Sequence, residues 1–193
     1  MKKIILASQS PRRKQLLEWA EIEFDVIVSF VDEVYPPHIP IDEVPVYIAK
    51  QKAIAVKSLP IYSHYEAGMP ILAADTTVIV DNEILNKPSD RSVAIEYLNR
   101  LSGKKHKVVT GVVILSGEKE ICFSETTEVI FHDICKEDIE YYVDQYKPFD
   151  KAGSYAIQEW IGIIGIKGIY GDFYNVMGLP VSRVVRALHS LQL

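Results

Sequence analysis

Cysteine is scarce in this chain: there are two in 193 residues, Cys122 and Cys135, on different expected elements and without CxxC spacing. That excludes a disulfide framework and a cysteine-based zinc site and leaves two core or surface thiols. The five histidines, His38, His64, His106, His132 and His189, are scattered without HxxxH or HExxH spacing, so surface or hairpin positions are expected and no histidine site. No apolar run is long enough to span a bilayer, and the beginning of the chain has neither a long apolar segment nor a small-residue cleavage site. A cytoplasmic protein without a membrane partner is expected. Positive charge is also in deficit, at a net −5, which argues against a nucleic-acid polymer as partner and confines any phosphate site to a local patch. Repeats, low-complexity segments and linkers are missing, so residues 1–193 are expected to form a single domain. What is abundant is apolar sequence, 48% hydrophobic against 24% charged, as in a globular protein.

The apolar run KKIILAS leads directly into SPRRKQLL, where Ser10 reads as an N-cap and Pro11 as the first helical residue, giving a strand, loop and helix to about Glu18. Glu23 to Val31 is rich in β-branched residues and reads as the next strand. Asp42 can cap a helix running to about Lys57. Ile71 to Leu85 is strand material interrupted by an aspartate and by a turn at Asp81-Asn82, and Asp90 caps a helix that Gly103 ends. Lys107 to Leu115 and Ile121 to Phe131 read as a hairpin around SGEK, with Ile121, Phe123, Val129 and Phe131 on one face. Lys136 to about Tyr146 is helical, SYAIQ and IGIIGIKG are strand-like, and Pro180 opens a last helix. Strands joined by both helices and hairpins imply an α/β fold on a mixed sheet.

Two conflicts in this pattern point to chemistry. Arg12 and Arg13 fall in the first turn of a helix, the wrong end for cations, because the macrodipole and unpaired N–H groups there already carry partial positive charge. A phosphate bound by the helix terminus, Ser8, Ser10 and the guanidinium forks would offset the repulsion; the alternative is two solvated arginines lying over apolar surface. Asp75 lies inside an apolar strand, where an unpaired carboxylate is costly to desolvate. It binds a cation, takes a proton from an attacking water, or bonds nearby backbone N–H groups in a local turn. The adjacent acids Asp32 and Glu33 face solvent unless they converge with Asp75. Lys52, inside YIAKQKAIA, and Lys87, before Pro88, can each meet a phosphate tail as a point charge or sit at the surface.

Together LASQSPRRKQLL, VDE before YIAKQKA, AADTTVIVDNEILNKPSD, LSGKKHKVVTGV, DKAGSYAIQ and YNVMGLP, in this order over nearly the whole chain, resemble the Maf family of nucleoside triphosphate pyrophosphatases. The resemblance implies a mixed twisted sheet with flanking helices and two lobes around a deep cleft, as in inosine triphosphatases. It implies hydrolysis of a nucleoside triphosphate to the monophosphate and pyrophosphate with a divalent metal, magnesium or manganese, in an intracellular house-cleaning enzyme that can dimerise. Carried over position by position, it makes Asp75 the acceptor of the water's proton and Glu33 its acidic partner; as carboxylates beside phosphate oxygens, the two are also the expected ligands of the metal. Ser8, Arg13, Lys52 and Lys87 become phosphate contacts. Arg12, Thr76 and Gln158 stand at the positions that divide the family by base and match its dTTP and UTP branch. A carboxamide such as Gln158 suits the O4, N3–H edge of thymine or uracil, though an ordinary bond to neighbouring backbone is its other reading. The alternatives are a 7-methyl-GTP or inosine-type pyrophosphatase, or a nucleotide-binding regulator of septum formation that does not hydrolyse. One departure from the family pattern is Glu159-Trp160-Ile161 after Gln158, where glycine is expected; Trp160 either stacks on a base or covers the core.

Overall fold

The computed structural model describes residues 3–191; Lys2 of the KKIILAS run and the ends of the expected 1–193 domain lie outside them. In chain order the strands are β1 (Ile4–Leu6), β2 (Phe24–Val26), β3 (Ile71–Val80), β4 (Glu83–Leu85), β5 (Lys105–Ser116), β6 (Lys119–Phe131) and β7 (Ile166–Tyr170). The α-helices are α1 (Pro11–Trp19), α2 (Val44–Lys57), α3 (Arg91–Leu101), α4 (Lys136–Tyr146), α5 (Trp160–Gly165), α6 (Phe173–Met177) and α7 (Val181–Ser190). The strands form one sheet in the order β2-β1-β3-β5-β6-β7, with β4 attached to β3. β1 runs parallel to β2 and β3, whereas β4 pairs with β3 and β7 with β6 antiparallel, so the sheet is mixed as expected.

The chain folds into two compact units, each assembled from separate stretches. The first ends at Asp75, resumes over Thr110–Glu125 and returns from Gly178; the second comprises Thr76–Val109 and Thr126–Met177. In the first unit Ile5, Ile71, Ala73 and Val113 of the sheet pack with Ala49, Ala53 and Val56 of α2. This burial holds α2, since its N-cap Glu43 makes no side-chain cap bond. A cap is worth about 1 kcal/mol, less than the roughly 1.5–3 kcal/mol for burying one valine- or isoleucine-sized side chain. Small residues let the helix come close: a Cβ on Gly111 of β5 would lie 2.2 Å from the Val46 nitrogen and 2.3 Å from the Pro45 carbonyl carbon.

In the second unit α3 packs on α4, burying Ala94, Leu98 and Leu101 on one helix and Ile139, Tyr142 and Val143 on the other. Asp90 caps α3 as expected, accepting from the Ser92 and Val93 N–H groups. His106, on a hairpin strand, is a core residue here. It is 2% exposed, meets Phe131 and Tyr155 edge-on, and its Nε2 lies 2.8 Å from the Tyr155 hydroxyl. Burial pushes its pKa down to about 3.

Four expectations are corrected. β2 stops at Val26 rather than Val31, because β1 offers it only three partners, ending at Leu6↔Val26. β3 runs through Asp75 without interruption, and the break comes only at Asp81 and Asn82, both at positive φ. Asp42 lies in a 3-10 turn, Ile41–Glu43, rather than capping α2. Residues 154–158 are not strand: Ser154 ends a 3-10 turn, Tyr155 and Ala156 are irregular and Ile157 and Gln158 form a turn, and the first half of IGIIGIKG is α5. Gly162 explains the helix: a Cβ there would lie 1.9 Å from the Ile157 carbonyl oxygen, so only glycine lets α5 fold back on the preceding turn. Both cysteines are free and exposed.

Candidate active site

The site in the first unit begins where β1 runs out. Ala7 and Ser8 continue the buried path, the Ser10 N–H donates to Ser8 Oγ at 3.2 Å, and Ser10 Oγ accepts from the Arg13 N–H at 3.4 Å. With Pro11 at the first position of α1, this cap turns Arg13 inward rather than to solvent. Its Nε donates to the Gly178 carbonyl at 2.8 Å and its Nη1 to Ser8 Oγ at 3.1 Å, leaving the residue 9% exposed. Burial lowers the proton affinity of Arg13 and the charge of Arg12 adds to that, while Asp75 and Glu33 act in the opposite direction. An arginine stays charged over the whole working range of pH, so these effects describe an inward cation facing carboxylates. Those acids are the negative groups that the helix start requires.

Asp75 stands in the middle of β3, after the fully buried Ala73 and Ala74, and is itself 7% exposed. It is not paired through a local turn. Lys52 Nζ donates to Asp75 Oδ1 at 2.7 Å and to Glu33 Oε1 at 2.7 Å. Lys52 follows Ala49 by three residues and precedes Ala53, so its stem rises from the edge of the face by which α2 packs, and only 18% of its side chain is exposed. Glu33 comes from the exposed connection after β2. One ammonium thus joins two carboxylates whose residues are 42 positions apart, beside a buried guanidinium.

Ser8, Arg13, Glu33, Lys52 and Asp75 are therefore brought together, with Arg12 half-buried next to them. Thr76, Lys87 and Gln158 belong to the second unit: Thr76 is half-buried on β3, Lys87 is exposed after β4, and Gln158 is exposed in a turn. Sequence reasoning missed the Gly178 carbonyl as an acceptor for Arg13, since a main-chain partner leaves no side-chain signature. It also missed the bonds made by Glu159. No group of three or more His, Cys, Asp or Glu converges among the described residues. The carboxylates of Glu33 and Asp75 both reach the Lys52 ammonium, and two such oxygen donors suit a hard divalent ion that completes its shell with phosphate oxygens and water. The cluster offers anion-binding donors from Ser8 and Arg13 and a carboxylate able to accept a proton.

A family model described as "Maf-like protein" matches residues 3–191. A protein of Cytophaga hutchinsonii named "dTTP/UTP pyrophosphatase" is 49% identical over 191 residues, 97% of this chain and 84% of its own. A protein of Parabacteroides distasonis with the same name is 46% identical, over 96% of this chain and 94% of its own. Among solved structures, a HAM1 protein from Coxiella burnetii aligns with a TM-score of 0.48 at 14% identity, over 68% of this chain and 73% of that one.

Proposed function

This chain belongs to the Maf-like protein family, and we propose that it hydrolyses dTTP and UTP to the nucleoside monophosphate and pyrophosphate. The substrate assignment draws on relatives at 43–49% identity that carry the name dTTP/UTP pyrophosphatase. The observation that carries it on this chain is Lys52 bridging Asp75 and Glu33 at 2.7 Å each, beside the buried Arg13.

In this reading Arg13 and Ser8 bind phosphate oxygens, the Arg13 guanidinium being held in place by its bonds to the Gly178 carbonyl and to Ser8 Oγ. Lys52 adds positive charge to the triphosphate and, when drawn toward it, frees the carboxylate of Asp75. Asp75 then accepts the proton of the water that attacks the α-phosphorus, and pyrophosphate leaves. Burial excludes bulk water from around Asp75, which strengthens its interaction with the reacting centre. Glu33 and Asp75 would hold a divalent cation, magnesium or manganese, which supplies charge neutralisation and polarisation of the phosphoryl oxygens when bound. Lys87 is assigned to the phosphates and Arg12, Thr76 and Gln158 to base selection by their motif positions. The reading is of a cytoplasmic enzyme acting on free nucleotides; no helix among the described residues is long and apolar enough to cross a membrane.

A nucleotide panel scored by pyrophosphate release, with and without EDTA, tests it. The expected result is metal-dependent cleavage with kcat/KM for dTTP and UTP above those for 7-methyl-GTP and ITP. A higher kcat/KM for either purine overturns the base assignment, and binding of dTTP without any product overturns the hydrolase reading.

A further inference from the structure

Gln158 is exposed, yet the turn that carries it is fastened at both ends. The Glu159 N–H donates to the Ala156 carbonyl at 3.1 Å, making a four-residue turn in which Ile157 is buried and Gln158 projects. Tyr142, fully buried on α4, reaches both ends: its hydroxyl accepts from the Ala156 N–H at 3.2 Å and donates to Glu159 Oε2. The other carboxylate oxygen of Glu159 lies 3.5 Å from Nζ of Lys151, a lysine only 7% exposed that also pairs with Asp150 at 2.7 Å. Glu159 is the N-cap residue of α5, but its side chain makes no capping bond and turns to Tyr142 and Lys151 instead. Trp160 packs edge-on against Tyr141, on the same helix as Tyr142. The departure from the family pattern at Glu159-Trp160 therefore anchors the turn to α4.

A side-chain amide discriminates between bases only if its own position is fixed more tightly than a solvent-exposed turn would leave it. An exposed glutamine with three free torsions gains that from its backbone, and here the backbone is tied by an aromatic hydroxyl, an ion pair and a buried neighbour. We propose that Tyr142, Glu159 and Lys151 are positioning residues for base recognition, holding the Ala156–Glu159 turn so that Gln158 meets the pyrimidine edge. This rests on the assignment of Gln158 to the base, and it predicts that loosening the clamp weakens base selection while the phosphate chemistry proceeds.

The test compares Tyr142→Phe, Glu159→Gln and Gln158→Ala, each alone and Tyr142→Phe combined with Gln158→Ala, using kcat and KM for dTTP and for ITP. Tyr142→Phe removes one oxygen from the core, and Glu159→Gln keeps an acceptor for Tyr142 while losing the charge facing Lys151; a folded preparation of either one suffices. Each is expected to raise KM for dTTP roughly five- to tenfold, about the worth of one hydrogen bond, with kcat for dTTP and kcat/KM for ITP within twofold of the parent. In the Gln158→Ala background, Tyr142→Phe is expected to add nothing further, which a purely structural role for Tyr142 would not produce. If Gln158→Ala raises KM for dTTP and neither clamp variant does, the positioning role is overturned while the base assignment stands. If Gln158→Ala leaves the preference for dTTP over ITP intact, the base assignment fails and the positioning role falls with it.

Discussion

At the scale of single residues, the proposed mechanism rests most on Asp75 and Lys52, and only the first of the two is expected to separate activity from stability. Asp75→Asn keeps the shape and a hydrogen-bonding partner for Lys52 but cannot take a proton from water; kcat is expected to fall by roughly 10²-fold or more while the urea midpoint moves little. Lys52→Met does the opposite to the balance of charge. It leaves the carboxylate of Asp75, 11% exposed, without its ammonium, and a loss of about 1–2 kcal/mol in urea unfolding is expected together with lost turnover. His106 gives a prediction about pH. Its native pKa of about 3 lies below the 6.5 of a free imidazole, so the unfolded chain takes up a proton that the native state refuses. The contribution is complete above about pH 6.5 and is lost as pH falls toward 3, at about 1.4 kcal/mol per pH unit. Urea titrations at several acidic pH values are expected to show that slope, and His106→Phe to flatten it, whatever it costs at neutral pH through the missing bond to Tyr155.

Among secondary-structure elements, α2 shows how a site is positioned from beneath. Gly111 allows the start of α2 to touch β5, and any Cβ there meets backbone, which cannot move aside as a flexible side chain can. Gly111→Ala is therefore expected to cost about 2–4 kcal/mol, read as a lowered urea midpoint, and to displace Lys52 from Asp75. Gly168→Ala on β7 is the control: its nearest neighbour would be a Tyr170 ring carbon at 3.6 Å, an ordinary contact. Most elements were legible because their signals are local. Pro11 after Ser10, Asp90 before α3 and Pro180 before α7 each act within one or two turns of chain. The failures were of another kind. Residues 27–31 have the composition of a strand, but β1 ends at Leu6 and the Ile27 N–H, donating to the Leu6 carbonyl at 3.2 Å, makes the last bond to it; IGIIG is apolar on every side, so periodicity alone cannot separate a buried helix from a buried strand. The first outcome is set by a distant segment, the end of β1, and the second by the close fit of Gly162 on Ile157, which no hydrophobic pattern records.

For the molecule as a whole, the negative net charge and the phosphate chemistry are reconciled by concentration: a few cations are gathered where acids already stand. The cations at the start of α1 and the carboxylate within β3 were each visible in the sequence as local misfits. Their convergence was not, because Glu33, Lys52 and Asp75 lie on a loop, a helix and a strand that no sequence window contains. The arrangement also bears on the order in which ligands arrive. Under the proposed mechanism, two acids that already meet an internal ammonium bind a lone divalent ion weakly, and a nucleotide that draws the ammonium away opens the carboxylates to the ion. In thermal-shift measurements on the parent protein, magnesium by itself is expected to leave Tm nearly unchanged, and the non-hydrolysable α,β-imido analogue of dTTP with magnesium to raise it by several degrees. Lys52 would then act as a resident counterion, a latch that the arriving triphosphate itself releases.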